Sequence, residues 1–183
     1  MELADVADEI TEALLTEQQI HDKIAELARR IEVDYAGERP LLVGVLKGAV
    51  MVMADVAREL KMHVDIDFMA VSSYGASTES SGVVRILKDL DADLKGRHVI
   101  IVEDIIDSGL TLAWLRANLE SRGPASLEIL ALLRKPDAAK VEVDVKYFGF
   151  DIPNAFVVGY GLDYAGRYRN LTGLGTLSPH IYA

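Results

Sequence analysis

The chain has no cysteine, one tryptophan and five prolines among its 183 residues. Without cysteine there is no disulfide, no thiolate metal site and no cysteine nucleophile, which fits a reducing compartment. Basic charge is also scarce. Nineteen Lys and Arg stand against 29 Asp and Glu, a formal net charge of −10. A broad nucleic-acid or anionic-membrane surface needs a basic field, so neither partner is expected. No apolar run approaches the roughly 20 residues that span a bilayer. The acidic start from Met1 to Asp5 lacks the basic and apolar regions of a signal peptide, so a cytoplasmic location is expected. There is no G-x-x-x-x-G-K-[ST] loop, no G-x-G-x-x-G fingerprint and no G-x-S-x-G elbow. His21, His63, His98 and His180 fit no H-x-x-x-H metal spacing.

What remains is a well-patterned globular sequence, 50% apolar and 26% charged. Residues 1–15 are acidic and weakly periodic, read as a leader or short helix. Thr16 and Gln19 resemble a capping box, and Ile20, Ile24, Leu27 and Ile31 follow on one helical face. A buried strand is predicted over 41–46, then a helix over 49–60 with Val50, Met53, Val56, Ala57 and Leu60 inward. A half-exposed strand is predicted over 64–71, with Asp65 and Asp67 outward. Residues 72–82 form the one long polar stretch and are expected to be a mobile loop, with a returning strand over 83–87. A strand over 99–103, a helix over 111–122 and strands over 127–133, 141–148 and 156–160 complete the pattern. Alternating strands and helices without repeat or linker predict one α/β domain over 1–183, its mostly parallel sheet flanked by helices.

The densest chemistry lies in residues 99–111. Four β-branched residues, Val99 to Val102, read as a buried strand. Glu103, Asp104 and Asp107 follow, then the small turn Ser108-Gly109, and Thr111 opens a helix. Ligands of α/β sheets bind at such carboxyl strand ends. Unpaired amides at the helix start suit a phosphate. The neighbouring carboxylates would repel a phosphate, so they call for sugar hydroxyls or Mg²⁺. A phosphate, a ribose and a metal on one short loop describe a phosphoribosyl ligand.

Residues 103–111 resemble the phosphoribosyl-pyrophosphate motif of the type I phosphoribosyltransferases. Leu46-Lys47-Gly48, Ser73-Tyr74, Lys135 and the run from Phe156 to Asp163 narrow the resemblance to the hypoxanthine-guanine phosphoribosyltransferases. It extends from about Thr16 to the C-terminus. It implies the type I fold, with a small hood subdomain built from the termini and a lid over 72–82 that closes on the site. The implied reaction transfers ribose 5-phosphate to a purine nitrogen and releases pyrophosphate, with Mg²⁺ and through an oxocarbenium-like transition state.

By the same resemblance, Asp107, Ser108, Gly109, Leu110 and Thr111 wrap the 5′-phosphate. Many family members carry Thr where Ser108 stands, and either hydroxyl can donate. Glu103 and Asp104 hold the ribose hydroxyls directly or through Mg²⁺, and Asp107 is the acid or base at purine N7. Leu46, Lys47 and Gly48 meet pyrophosphate, with a Leu46–Lys47 peptide that can be cis. Ser73, Tyr74 and Arg169 join them. Lys135 donates to the purine 6-oxygen and so disfavours adenine. Phe156 stacks on the base, Val157 contacts its edge, and Asp163 binds a second Mg²⁺ or lies near the 2-amino edge of guanine. Mg²⁺ takes few protein carboxylates when phosphates are present, so no dense protein cage is expected. The resemblance also implies a homodimer or homotetramer, with the helix at 49–60 as one interface. Two alternatives stand beside this reading: a sister transferase preferring xanthine, and a non-catalytic RNA-binding regulator on the same fold. The net charge of −10 counts against the latter.

Overall fold

A computed structural model describes residues 1–73 and 84–182. In chain order the elements are β1 (Ile10–Leu15), α1 (Glu17–Asp34), β2 (Leu41–Leu46), α2 (Val50–Glu59), β3 (Asp65–Ser73) and β4 (Val84–Lys88). There follow β5 (His98–Ile106), α3 (Leu110–Glu120), β6 (Ser126–Arg134), β7 (Tyr147–Asp151), β8 (Val157–Val158), β9 (Leu174–Leu177) and α4 (Pro179–Tyr182). Six strands form one sheet in the order β4-β3-β2-β5-β6-β7. All its pairs are parallel except β3 with β4.

The side-chain alternation of the central strands divides the core. Leu42 of β2, Ile100 and Val102 of β5 and Leu130 and Leu132 of β6 face one cluster with α1 and α2. Leu41, Val43, Val99, Ile101, Ile129 and Ala131 face the other, with α3. Burial on both faces explains why β2 and β5 read as continuous apolar runs. The α1 start is the expected capping box: Gln19 N donates to Thr16 Oγ1 at 3.2 Å and Thr16 N donates to Gln19 Oε1 at 2.9 Å. In α2 the inward residues are Val52, Met53 and Val56, whereas Val50 is exposed, contrary to expectation. Asp67, expected outward, is buried. It accepts the amides of Phe68, Asp91 and Ala92 at 2.7, 2.8 and 2.9 Å, which satisfy it without water.

The remaining strands make a second sheet, β1-β9-β8, antiparallel throughout. This is the hood implied by the resemblance. Residues 1–15 are therefore not a leader or a single helix. Leu3–Glu9 is a 3-10 segment and β1 pairs Ile10 with Leu177. Half of the β1 side chains are exposed and only Leu15 is buried, so its pairing comes from backbone bonds that the sequence pattern does not display. The strand expected at 141–148 is also displaced. β7 begins only at Tyr147, and Lys140 N and Val141 N instead donate to Ser108 O at 2.9 and 3.2 Å. Most of the expected loop at 72–82 lies outside the described residues. β3 runs through Ser72 and Ser73 on one side and β4 begins at Val84 on the other.

Candidate active site

Strand order reverses at β2. From there one crossover leads outward to β3 and the later ones lead through β5, β6 and β7. The crevice at the carboxyl ends of β2 and β5 is thus the topological switch point, where sheets of this kind bind ligands. Lys47 and Gly48 follow β2 directly. Glu103, Asp104 and Asp107 lie at the end of β5, and Lys135 immediately follows β6. The predicted residues of these three segments therefore share one edge of the sheet.

Residues 107–109 turn into α3 through Gly109, whose φ of +79° suits glycine. A methyl group there would overlap the carbonyl of Val141. That contact and the two amides donated to Ser108 O brace the turn from behind. A cavity of about 130 Å³ is lined by Glu103, Asp107, Ser108, Gly109 and Thr111, with Ile105, Ile106 and Leu112 as its apolar part. Its size and its place at the helix N-terminus suit a phosphate group.

Beside this cradle lie two carboxylates in an unfavourable setting. Burial raises the Glu103 carboxyl well above its ordinary range, and the charge of Asp104 adds to this. Burial likewise pushes Asp104 up to about 6, against backbone hydrogen bonds from Ile105 and its own amide and the attraction of Arg169. Ile105 N donates to Asp104 Oδ1 at 2.7 Å. Among the described residues, no three carboxylate or histidine side chains group closely enough to cage a metal.

Glycine lets the rest of the site close on this pair. A methyl on Gly48 would overlap the Asp104 carboxylate, and one on Gly161 would overlap the Gly48 carbonyl. Gly161 has a φ of +99°. The hood loop thus rests on the β2 turn, which rests on Asp104. The Leu46–Lys47 peptide in that turn is cis, and Lys47 is exposed. The hood loop also carries Arg169 and Asp163. Arg169 Nη2 lies 2.6 Å from Asp163 Oδ1, and its Nη1 donates to Gly161 O at 2.6 Å. Gly166 N donates to Asp163 Oδ2 at 2.8 Å. The charges of Arg169 and Asp163 both act on the Asp104 carboxyl, the first lowering and the second raising it.

On the other flank, buried Lys135 reaches Asp107 Oδ2 at 3.3 Å, and Lys135 N donates to Ile106 O at 2.9 Å. Asp107 itself is largely exposed. Phe156 precedes β8 and is 40% exposed, large for an aromatic side chain, while Val157 is buried and pairs with Thr176. Ser73 ends β3, and Tyr74 lies outside the described residues. Three contributions had escaped the sequence reading: the contact of Gly48 with Asp104, the support from Gly161, and the brace from Val141. Gly159-Tyr160-Gly161 was the visible signal for the second, since paired glycines late in a strand mark a close backbone approach.

A phosphate-sized cradle at the switch point, with one buried and one half-buried carboxylate beside it, defines an α/β protein of the phosphoribosyl-binding class. The family model of the phosphoribosyl transferase domain matches residues 11–165. A hypoxanthine-guanine phosphoribosyltransferase from Mycobacterium bovis is 57% identical over 180 residues, covering 95% of this chain and 89% of its own. One from Bacillus subtilis is 48% identical over 174 residues, covering 95% and 97%. Among solved structures, a hypoxanthine phosphoribosyltransferase from Staphylococcus aureus superposes with a TM-score of 0.94 at 45% identity, covering 98% and 97% of the two chains. The chain belongs to the hypoxanthine-guanine phosphoribosyltransferase family, within the type I phosphoribosyltransferases.

Proposed function

We infer that this chain is a purine-salvage enzyme that joins hypoxanthine or guanine to the ribose 5-phosphate of 5-phosphoribosyl 1-pyrophosphate. The products are IMP or GMP and pyrophosphate. The observation that carries this reading is the pair of buried Glu103 and half-buried Asp104, both raised by desolvation, beside the amide cradle at residues 107–111. Such a pair is costly in an empty site and suited to a ligand bearing positive charge.

In this reading the amides and hydroxyls of residues 107–111 hold the 5′-phosphate. Glu103 and Asp104 hold the ribose 2′ and 3′ hydroxyls and stabilise positive charge at C1′ as the C1′–oxygen bond breaks. The bonding pair leaves with pyrophosphate, which meets Arg169, the backbone at Leu46, Lys47 and Gly48, and Ser73 and Tyr74. A purine ring nitrogen then supplies the pair for the new C1′–N bond. Asp107 takes the proton at N7, and Lys135, 3.3 Å from Asp107, donates to the 6-oxygen. Phe156 stacks on the base, and Val157 and Asp163 address its edge.

Glu103 and Asp104, whose carboxyls burial raises, fit Mg²⁺ and would hold one ion, and Asp163, whose carboxylate pairs with Arg169, would hold a second. When bound, the ion offsets the charge of the departing diphosphate. Residues 1–183 act as one catalytic domain in this account, with 72–82 as its lid on the strength of their polar sequence. Exposed Val50 of α2 supports a homo-oligomer that uses that helix. The net charge of −10 supports a small-molecule enzyme without nucleic-acid or membrane partners, and the lack of cysteine fits the cytoplasm.

The test supplies 5-phosphoribosyl 1-pyrophosphate, Mg²⁺ and one base at a time, and follows nucleotide formation. Turnover of hypoxanthine or guanine, with adenine unused, is expected. Preference for xanthine would move the chain to the sister specificity. Absence of turnover with every base, together with RNA binding, would replace catalysis by regulation.

A further inference from the structure

The ring of Phe156 does not stand alone. Tyr182 of α4 stacks on it with centroids 5.0 Å apart and planes 25° from parallel. Tyr164 meets it edge-on at 5.6 Å and 88°, and Tyr164 and Tyr182 are 6.3 Å apart. Even so, Phe156 keeps 40% of its surface exposed. One face of the ring is therefore covered by Tyr182 while open surface remains for a flat ligand.

The segment carrying Tyr182 is firmly placed. Leu177 N, at the end of β9, donates to Phe156 O at 2.8 Å, which fixes the backbone under the ring. The next residue, Ser178, is buried. Its amide donates to Glu9 O at 2.8 Å and its Oγ lies 2.6 Å from His180 Nδ1. Ile181 packs on the hood cluster of Val158, Tyr168, Leu171 and Leu177. One short unit, β9 with α4, thus holds both the main chain of Phe156 and its ring.

We propose that Tyr182 is a positioning residue for the purine: stacked behind Phe156, it fixes the plane of that ring and leaves the opposite face for the base. The proposal rests on the reading of Phe156 as the stacking ring. A ring already held in place loses less freedom when a base binds, so the gain appears in base affinity. The bond-making step at C1′ is untouched. A change in binding shared by ground and transition states alters KM and spares kcat.

The test is steady-state kinetics of Tyr182→Ala, Tyr182→Phe, Phe156→Leu and the Phe156→Leu/Tyr182→Ala pair, with thermal unfolding of each. Tyr182→Ala should raise KM for hypoxanthine about three- to tenfold, the worth of one aromatic pair, with kcat and the donor's KM unchanged. Tyr182→Phe, which keeps the ring, should behave as wild type. Phe156→Leu should raise the same KM, and adding Tyr182→Ala to it should change nothing further. An unchanged base KM in Tyr182→Ala, with Phe156→Leu impaired, overturns the proposal and leaves the stacking reading standing. A lowered base KM also overturns it, because Tyr182 would then cover the face the base needs. Losses in kcat, both KM values and Tm together would mark a merely structural residue and overturn it too. If Phe156→Leu leaves the base KM unchanged, the stacking reading itself fails and the proposal falls with it.

Discussion

The two ends of the large sheet treat their carboxylates in opposite ways. At the amino end of β3, Asp65 takes both Arg97 and Arg39. The hydrogen bond from Arg97 leads in holding its carboxyl below the ordinary range. At the carboxyl end of β5, Glu103 is buried and Asp104 half-buried; neither has an ion pair among the described residues, and burial raises both carboxyls. The first arrangement serves the ligand-free fold. The second opposes it and is satisfied only when a ligand arrives. Carboxylates of one sheet, on strands with β2 between them, are thus separated into structural and functional ones by their surroundings alone.

The comparison breaks most readily at the functional end. Glu103→Gln with Asp104→Asn should lower turnover of hypoxanthine at least about a hundredfold, while circular dichroism shows the fold retained. Near-wild-type turnover would remove both residues from the reaction. Gly48→Ala comes next. Its methyl would displace the Asp104 carboxylate, so kcat/KM should fall about tenfold or more, by analogy with small misplacements of catalytic groups. Gly37→Ala is the matched control. Gly37 has a φ of +84° with nothing within 4 Å, so it should cost about 1 kcal/mol of stability and leave kinetics alone. Equal kinetic loss in both would mean that Gly48 matters only as a turn.

Lys135→Ala sharpens the other flank. Loss of the donor to the 6-oxygen should erode the preference for hypoxanthine and guanine over adenine, by about tenfold or more in the ratio of kcat/KM. An unchanged ratio would reassign Lys135. The smallest effect is at the structural end. Asp65→Asn should lower Tm by about 1–3 °C and leave turnover untouched.

How much of this was legible in the sequence depends on where each determinant lies. Strand, carboxylates, turn and helix start all fall inside residues 99–111, so the phosphoribosyl loop could be read locally. The central strands could be read because burial on both faces leaves an unbroken apolar run. The hood was legible only through the family resemblance and not in the residue pattern, because β1 finds its partner only near the other terminus, at Leu177. The resemblance implies a pyrophosphate contact for Gly48, whereas its need to be glycine comes from Asp104 on another strand. Val141 and Val143 imitate a strand because they are apolar and alternate with charge. Val141 instead braces the turn at Ser108 and Gly109 through its amide and carbonyl, and Val143 packs against the core cluster around α3. Asp67 shows the same limit: alternation places it in solvent, whereas the amides of Asp91 and Ala92, from chain folding over it, join that of Phe68 to hold it inside.

The central claim is that the acidic pair is kept for the ligand at the expense of the ligand-free fold, and unfolding by urea across pH tests it most directly. Asp104 has its folded-state pKa raised from 3.8 to about 6. The folded protein therefore binds more protons than the unfolded chain within that window. The associated stability is present below pH 3.8 and is lost as pH rises through about 6. Ligand-free Asp104→Asn should lack this loss and exceed wild type above that pH, by at most about 3 kcal/mol. A variant less stable than wild type at pH 7.5, with the same pH profile, would contradict the account.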